Sequence, residues 1–179
     1  MFRPIANRAS KPALSPYDGA GLERIAIDYV GRYATTKAKL AAYLRRKLRE
    51  RGWAGEGEPP VAVLVERFAS HGYVDDGAFA AVRTESLLRR GYGGQRIASA
   101  LRHAGIEQDI ADALRPRIEE GAEAAAWAFA RRRRLGPFST KTSDVAEKRR
   151  QFAAMLRAGH AMDVTQKVLG APAPEEEVD

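Results

Sequence analysis

A chain of 179 residues with 45% hydrophobic content has room for one ordinary domain or a short array of small units, and none for a large two-domain enzyme. Lys and Arg total 30 against 23 acids, a net charge of +7. Four of those acids (Glu175, Glu176, Glu177, Asp179) sit in the last nine residues, so the rest of the chain is more basic still. Of the cations 23 are Arg and 7 are Lys, which favours bidentate engagement of phosphate or carboxylate. The absence of Cys removes disulfides, thiol nucleophiles and zinc ribbons, and suits a reducing compartment. Three scattered histidines, His71, His103 and His160, do not make a metal site. No apolar run approaches the ~20 residues needed to span a bilayer, and the start lacks the apolar core of a signal peptide. A cytoplasmic protein with no membrane contact is expected.

Residues 1–20 hold three prolines and no apolar period, and read as a flexible basic arm. A first unit spans 21–74. Ile25, Tyr29 and Tyr33 recur at helical spacing; after Thr35-Thr36, good N-cap residues, Leu40, Leu44 and Leu48 do the same. Gly52 stops that helix, a Gly/Glu/Pro-rich connector covers 54–60, and Val61, Leu64, Val65 and Phe68 mark a third helix closed by His71-Gly72. A strand over Val61 to Val65 is the weaker reading of the same residues.

The second unit, 75–121, repeats the order. Asp75 can cap a helix carrying Phe79, Val82 and Ser86/Leu87 on one face and ending near Gly91. Ile97, Leu101 and Ala104 form the next, ending at Gly105, and Ile110, Ala113 and Leu114 another. The third unit, 122–170, opens with Trp127 and Phe129, and a connector over 136–143 precedes Asp144-x-x-Glu147, a capping-box pattern. Leu48-Arg49-Glu50-Arg51-Gly52, Leu101-Arg102-His103-Ala104-Gly105 and Met155-Leu156-Arg157-Ala158-Gly159 fall in register. The expected fold is therefore all-α, an elongated tandem array of three three-helix, helix-turn-helix-like repeats whose neighbours complete one another's apolar faces. Residues 171–179 form an acidic tail expected to be disordered.

No residues offer themselves as catalytic, cofactor-binding or metal-binding, and enzymatic activity is not expected. Adjacent Asp75 and Asp76 at a helix start read as a cap before they read as an acid/base pair. His71 and His103 sit at helix C-termini, where the dipole favours them. Gly91-Tyr92-Gly93-Gly94-Gln95 is glycine-rich and precedes a helix, but lacks the Lys-Ser/Thr ending of a P-loop and reads as a helix-to-helix turn.

The cations point to a binding function. Arg45, Arg46 and Arg49 lie opposite the Leu40/Leu44/Leu48 stripe. Arg131, Arg132, Arg133 and Arg134 form a run in which one or two stems must brush the core side, and Lys148, Arg149 and Arg150 add a further cluster. Residues 21–74 carry a net +4, residues 75–121 a net −1 and residues 122–170 a net +6, so the excess belongs to the outer units. Tyr92, between Arg89-Arg90 and Arg96, has the aromatic-among-cations arrangement that can stack on a base; packing over a neighbouring helix is the competing reading. The basic face suits an acidic or nucleoprotein partner engaged through its backbone.

Gly72-Tyr73-Val74-Asp75-Asp76-x-x-Phe79-Ala80, followed by Arg89-Arg90-Gly91-x-x-x-x-Arg96-Ile97-x-x-x-Leu101-Arg102-x-x-Gly105-Ile106, resembles the hallmark central repeat of the RecX family of recombination regulators. Thr35-Thr36-x-x-x-Leu40 with Leu48-x-x-x-Gly52 is similar to that family's first repeat, and the likeness covers about residues 22–169. The resemblance implies a bacterial, non-enzymatic modulator of RecA, monomeric and without cofactors. Such a protein lodges in the groove of the RecA–DNA filament and hinders filament growth, ATP hydrolysis and strand exchange, or in some members assists recombination. It further implies that Gly72, Tyr73, Asp75, Asp76, Phe79, Ala80, Gly91, Ile97, Leu101 and Gly105 are architectural, with Phe79, Ile97 and Leu101 in the core. The partner contacts then fall to Arg89, Arg90, Arg96 and Arg102 and to the basic clusters of the outer units. A plain DNA-binding helical protein, touching single- or double-stranded DNA without RecA, is the alternative.

Overall fold

The helical spacing of the apolar residues is realised throughout. In this computed structural model residues 15–140 and 144–172 are described. In chain order the helices are α1 (Gly19–Arg32), α2 (Lys37–Arg51), α3 (Val61–Ser70), α4 (Asp76–Arg89), α5 (Gly94–His103), α6 (Gln108–Ala113), α7 (Arg115–Arg133), α8 (Val145–Arg157) and α9 (Met162–Leu169), with a 3-10 turn at Gly136–Phe138. The β content among the described residues is one isolated bridge between Tyr17 and Trp53, and Val61 to Val65 lies in α3. The protein is all-α.

Three apolar cores follow one another along the chain. Leu22, Ala26, Leu40, Leu44 and the α3 stripe of Val61, Leu64, Val65 and Phe68 close the first. Ala80, Leu87, Leu88, Ile97, Leu101 and Ile106 build the second, and Phe129, Ala130, Met155 and Val168 the third. Each fully buried Leu or Ile contributes about 1.5–3 kcal/mol of transfer free energy, so these stripes supply much of each unit's stability.

Several positions depart from expectation. Val82 is exposed, and the inward face of α4 is instead Asp76, Ala80, Thr84, Leu87 and Leu88. Phe79, expected in the core, is half-buried and carries Lys39 Nζ 4.6 Å from its ring centroid. Tyr33 ends outside the first core because Leu22 and Ala26 turn the buried face of α1 away from it. Residues 15–18, placed within the flexible arm, are tied down: Tyr17 is buried, exchanges backbone hydrogen bonds with Gly52 and Ala54, and lies under Arg51. The arm up to residue 14, the tail from residue 173 and residues 141–143 of the connector lie outside the described residues. The position 121/122, read as a unit boundary, falls inside α7. That helix gives Ala125 to the second core and Ala126, Phe129 and Ala130 to the third.

Gly72, Gly91 and Gly105 all follow helix ends with positive φ, as does Gly159. There the next residue's N–H returns to a carbonyl of the last turn, as in Ile106 to Leu101 (3.1 Å) and His160 to Met155 (3.2 Å).

The two junctions between units are built differently. At the first, the Thr36 hydroxyl donates to the Ala104 carbonyl (2.6 Å) and the Lys37 N–H donates to Asp76 Oδ1 (2.9 Å). Asp75 meanwhile accepts from the Ala78 N–H (2.8 Å) and caps its own helix. The paired carboxylates therefore serve two helix N-termini, α4 in their own unit and α2 in the preceding one, where the dipole favours negative charge. Asp75→Ala should cost about 0.5–2 kcal/mol, as an exposed cap does. Asp76→Ala removes a part-buried charge-assisted bond and should cost more, roughly 1.5–3 kcal/mol. Urea denaturation of the two variants checks the order, and equal losses would mean that Asp76 does not clasp the units.

At the second junction α7 lies against α4, α5 and α6, and Arg117 on α7 grips Glu85 on α4 through both carboxylate oxygens (2.6 and 3.0 Å). The N–H groups of Gly93 and Gln95 donate to the carbonyls of Ala158 and Gly159 (2.9 and 3.1 Å). His160, 2% exposed, packs its ring 5.6 Å from Phe129. Burial holds this imidazole below its ordinary value near 6.5, although the Gly91 backbone opposes the shift. Once pH falls below about 6.5 the unfolded chain binds the proton that the folded one refuses, so stability drops from there down to the lowered folded-state value. The melting temperature should therefore fall between pH 7.5 and 5.5, and less so in His160→Gln. Identical pH profiles would remove His160 as the cause.

Candidate functional site

The turn between α4 and α5 places one aromatic ring where the second and third units meet. Tyr92 follows the left-handed Gly91, its N–H returns to Leu87 (3.0 Å), and its ring packs partly against both cores. The guanidiniums of Arg90 and Arg96 lie 5.4 and 6.0 Å from the ring centroid, within cation–π reach. Both readings of this residue are thus met, with a ring that packs inward and keeps an open side among cations.

Two clefts share that ring as a wall. One, of about 480 Å³, is lined by Tyr92, Arg96, Phe129, Arg133, Leu135, Ala154, Arg157 and Ala158. The other, of about 320 Å³, is lined by Arg83, Leu87, Arg90, Tyr92, Arg96, Ser99, Ala100 and His103. Neither lining contains a carboxylate. Arg83, Arg90, Arg96, Arg133 and Arg157 form no ion pair among the described residues. Five guanidiniums converge on a surface with nothing to neutralise them, a focused positive field suited to phosphate or carboxylate oxygens.

The middle unit's charge of −1 concealed this. Its acids are engaged elsewhere, Glu85 and Glu120 with Arg117 and Asp112 with Arg115, which leaves Arg83, Arg90 and Arg96 uncompensated. Arg83 and Arg157 escaped the sequence reading because each stands alone, without the neighbouring cations that marked the other clusters.

The remaining candidates are not gathered here. Arg45, Arg46 and Arg49 are exposed on α2, and Arg46 approaches Glu50 (3.8 Å). Arg89 and Arg102 are exposed and line neither cleft. In the run of four, Arg131 lies over Phe138 and Arg132 and Arg133 over Phe129, while Arg134 ends α7 at φ 54°. Lys148, Arg149 and Arg150 are exposed on α8, and Arg150 pairs with Glu147 (3.4 Å).

The Gly91 to Gln95 turn is no phosphate cradle, since the N–H groups of Gly93 and Gln95 are spent on the α8–α9 turn. His71 and His103 each place Nδ1 2.7 Å from the carbonyl four residues earlier, and Asp75 and Asp76 are committed to backbone N–H groups. Among the described residues no group of three or more His, Asp or Glu side chains could hold a metal ion, and no helix is long and apolar enough to cross a membrane.

Comparison with known proteins agrees with this architecture. The family described as "RecX, second three-helix domain" matches residues 75–114, the span from the Asp75 cap to the end of α6. Regulatory protein RecX of Myxococcus xanthus (strain DK1622) is 35% identical over 159 residues, covering 83% of each chain. That of Mycobacterium sp. (strain JLS) is 32% identical, over 79% of this chain and 78% of the relative. Among solved structures, RecX from Lactobacillus salivarius superposes with a TM-score of 0.67 at 16% identity, over 84% of this chain and 93% of that one; it shows the fold. With a relative at this level of identity across most of both sequences, and with its central repeat matched from cap to last helix, the chain belongs to the RecX family of regulatory proteins.

Proposed function

We propose that this chain regulates the RecA recombinase by setting the basic face around Tyr92 into the groove of the RecA–DNA filament. There it hinders filament growth, ATP hydrolysis and strand exchange. The observation that carries the reading is the convergence of Arg83, Arg90, Arg96, Arg133 and Arg157 on one half-buried tyrosine at the junction of two units, free of carboxylate partners, in a chain of this family. A tandem array can touch successive protomers, so that weak contacts sum through effective concentration. The protein acts by binding and not by turnover, as a monomer in the cytoplasm. Support for this comes from the commitment of Asp75, Asp76, His71 and His103 to helix ends.

The test is to titrate the protein into a RecA–single-strand filament, following ATP hydrolysis and strand exchange, and to measure naked-DNA binding at matched salt. Inhibition at concentrations well below those that saturate naked DNA is expected. The alternative of plain DNA binding requires the reverse: no filament effect until naked DNA saturates, with log affinity falling by about 0.9 per phosphate neutralised on duplex.

A further inference from the structure

The first unit carries a second aromatic and basic cleft, remote in sequence from Tyr92. It has a volume of about 650 Å³ and lies between the end of α1 and the outer face of α2, within the size range of small-ligand sites. Three tyrosines form its floor: Tyr29 stacks on Tyr43 (centroids 4.2 Å apart, planes at 15°), and Tyr33 leans on Tyr29 at 5.3 Å. Tyr33 is 58% exposed, so its ring is available to a flat partner. Arg32, Lys39, Arg46 and Lys47 line the walls. Arg46 and Lys47 share Glu50 as an acidic neighbour and flank the Tyr43 ring at 5.6 and 6.0 Å. Asp28 is the one carboxylate in the lining, and Arg32 has no ion pair among the described residues.

The geometry points to a binding site for single-stranded nucleic acid, with an unpaired base stacked on Tyr33 beside the Tyr29–Tyr43 pair and the adjoining phosphates held by Arg32, Lys39 and Arg46. A continuous stack of rings ending in one exposed face is what an unpaired base completes, and the surrounding cations supply the backbone's countercharge. A duplex keeps its bases stacked internally and offers the tyrosines only phosphate, and an acidic peptide has no use for the open ring. The site goes beyond the filament reading, since it needs neither RecA nor the Tyr92 face.

The experiment uses the full chain without RecA. Binding of a fluorescein-labelled twelve-residue oligothymidylate and of a duplex of equal length is measured by anisotropy at matched salt, for wild type, Tyr33→Ala, Tyr33→Phe and Arg32→Gln/Lys39→Gln. Tyr33→Ala should weaken single-strand binding by roughly tenfold, in keeping with one base–aromatic stack. It should change duplex binding less than about twofold, and Tyr33→Phe should restore the loss. The charge variant should weaken both. Irradiating an iodouracil-containing strand should place the crosslink on Tyr29, Tyr33 or Tyr43. Equal losses for strand and duplex, an unchanged affinity in Tyr33→Ala, no single-strand binding by the wild type, or displacement by polyglutamate as effective as by unlabelled strand would each overturn the assignment. Circular dichroism of every variant separates loss of binding from loss of fold. A filament effect that survives while these losses appear keeps the two sites distinct.

Discussion

Gly93→Ala is expected to lower the stability of the protein by roughly 3–5 kcal/mol, a large share of the total stability of an ordinary domain. A Cβ at Gly93 would overlap the Gly159 carbonyl and the His160 nitrogen, which are backbone atoms and cannot rotate aside. Relief requires α5 and the α8–α9 turn to separate, and separation breaks the hydrogen bonds from Gly93 to Ala158 and from Gln95 to Gly159. Gly159→Ala should be comparably severe. Its φ of 91° is unfavourable for an L side chain, and its Cβ would meet the backbone of Arg96. The control is Gly31→Ala in the last turn of α1, where nothing lies within 4 Å and helix propensity predicts a gain of about 0.5–1 kcal/mol. Thermal melts should show Gly93→Ala lowered by about 10 °C, given roughly 2–4 °C per kcal/mol at this chain length, and Gly31→Ala unchanged or raised. A two-step melt of Gly93→Ala would show the third unit uncoupling from the second, as nearest-neighbour coupling in a repeat array allows. A Gly93→Ala protein as stable as wild type would mean that these backbones do not touch.

The second large effect concerns charge. Arg96→Ala, Arg133→Ala and Arg157→Ala together should weaken binding to the acidic partner by roughly 10- to 100-fold, each guanidinium that grips a charged group at an exposed site being worth about 1 kcal/mol. The salt dependence should flatten as well, the slope of log affinity against log salt decreasing by about 0.7–0.9 for each phosphate that is no longer neutralised. Stability should be nearly untouched, because none of the three forms an ion pair among the described residues. Removing Lys148, Arg149 and Arg150 from α8 serves as the comparison. They carry the same formal charge but line neither cleft at Tyr92, and the loss of affinity should be several-fold smaller.

The sequence disclosed the fold wherever apolar spacing alone decides it. Leu40 and Leu44, Ile97 and Leu101, and the Val61 to Phe68 stripe are buried where a 3.6-residue period puts them. It failed where a polar side chain takes an inward position. Thr84, 1% exposed, holds the inward place on α4 that hydropathy assigns to Val82, since such a scale scores the hydroxyl and misses the methyl beside it. The clasp between Asp76 and Lys37 spans 39 positions, and no local pattern reports so distant a partner.

The candidate site was only half legible. Tyr92, Arg90, Arg96 and Arg133 stood out as an aromatic among cations and as a run of charge. Arg83 and Arg157 did not, and the near-neutral middle unit argued against a basic face there. Net charge sums over all faces of a unit, whereas a partner meets one. Glu85, Glu120 and Asp112 cancel charge in the sum while being spent on Arg117 and Arg115. The tyrosine stack of the first unit was hidden for a related reason: Tyr29 and Tyr33 fit the spacing of a core stripe, and their meeting with Tyr43 depends on how α1 lies on α2.

ATP hydrolysis by a preformed RecA–single-strand filament, titrated with the wild-type chain and with the Arg96/Arg133/Arg157 alanine variant at one salt concentration, tests the proposed role of the Tyr92 face most directly. The wild type should depress hydrolysis, and the variant, folded to the same helical content, should need at least about tenfold more protein for the same effect. Superimposable titrations would contradict the account, leaving the five guanidiniums around Tyr92 as a solvated surface.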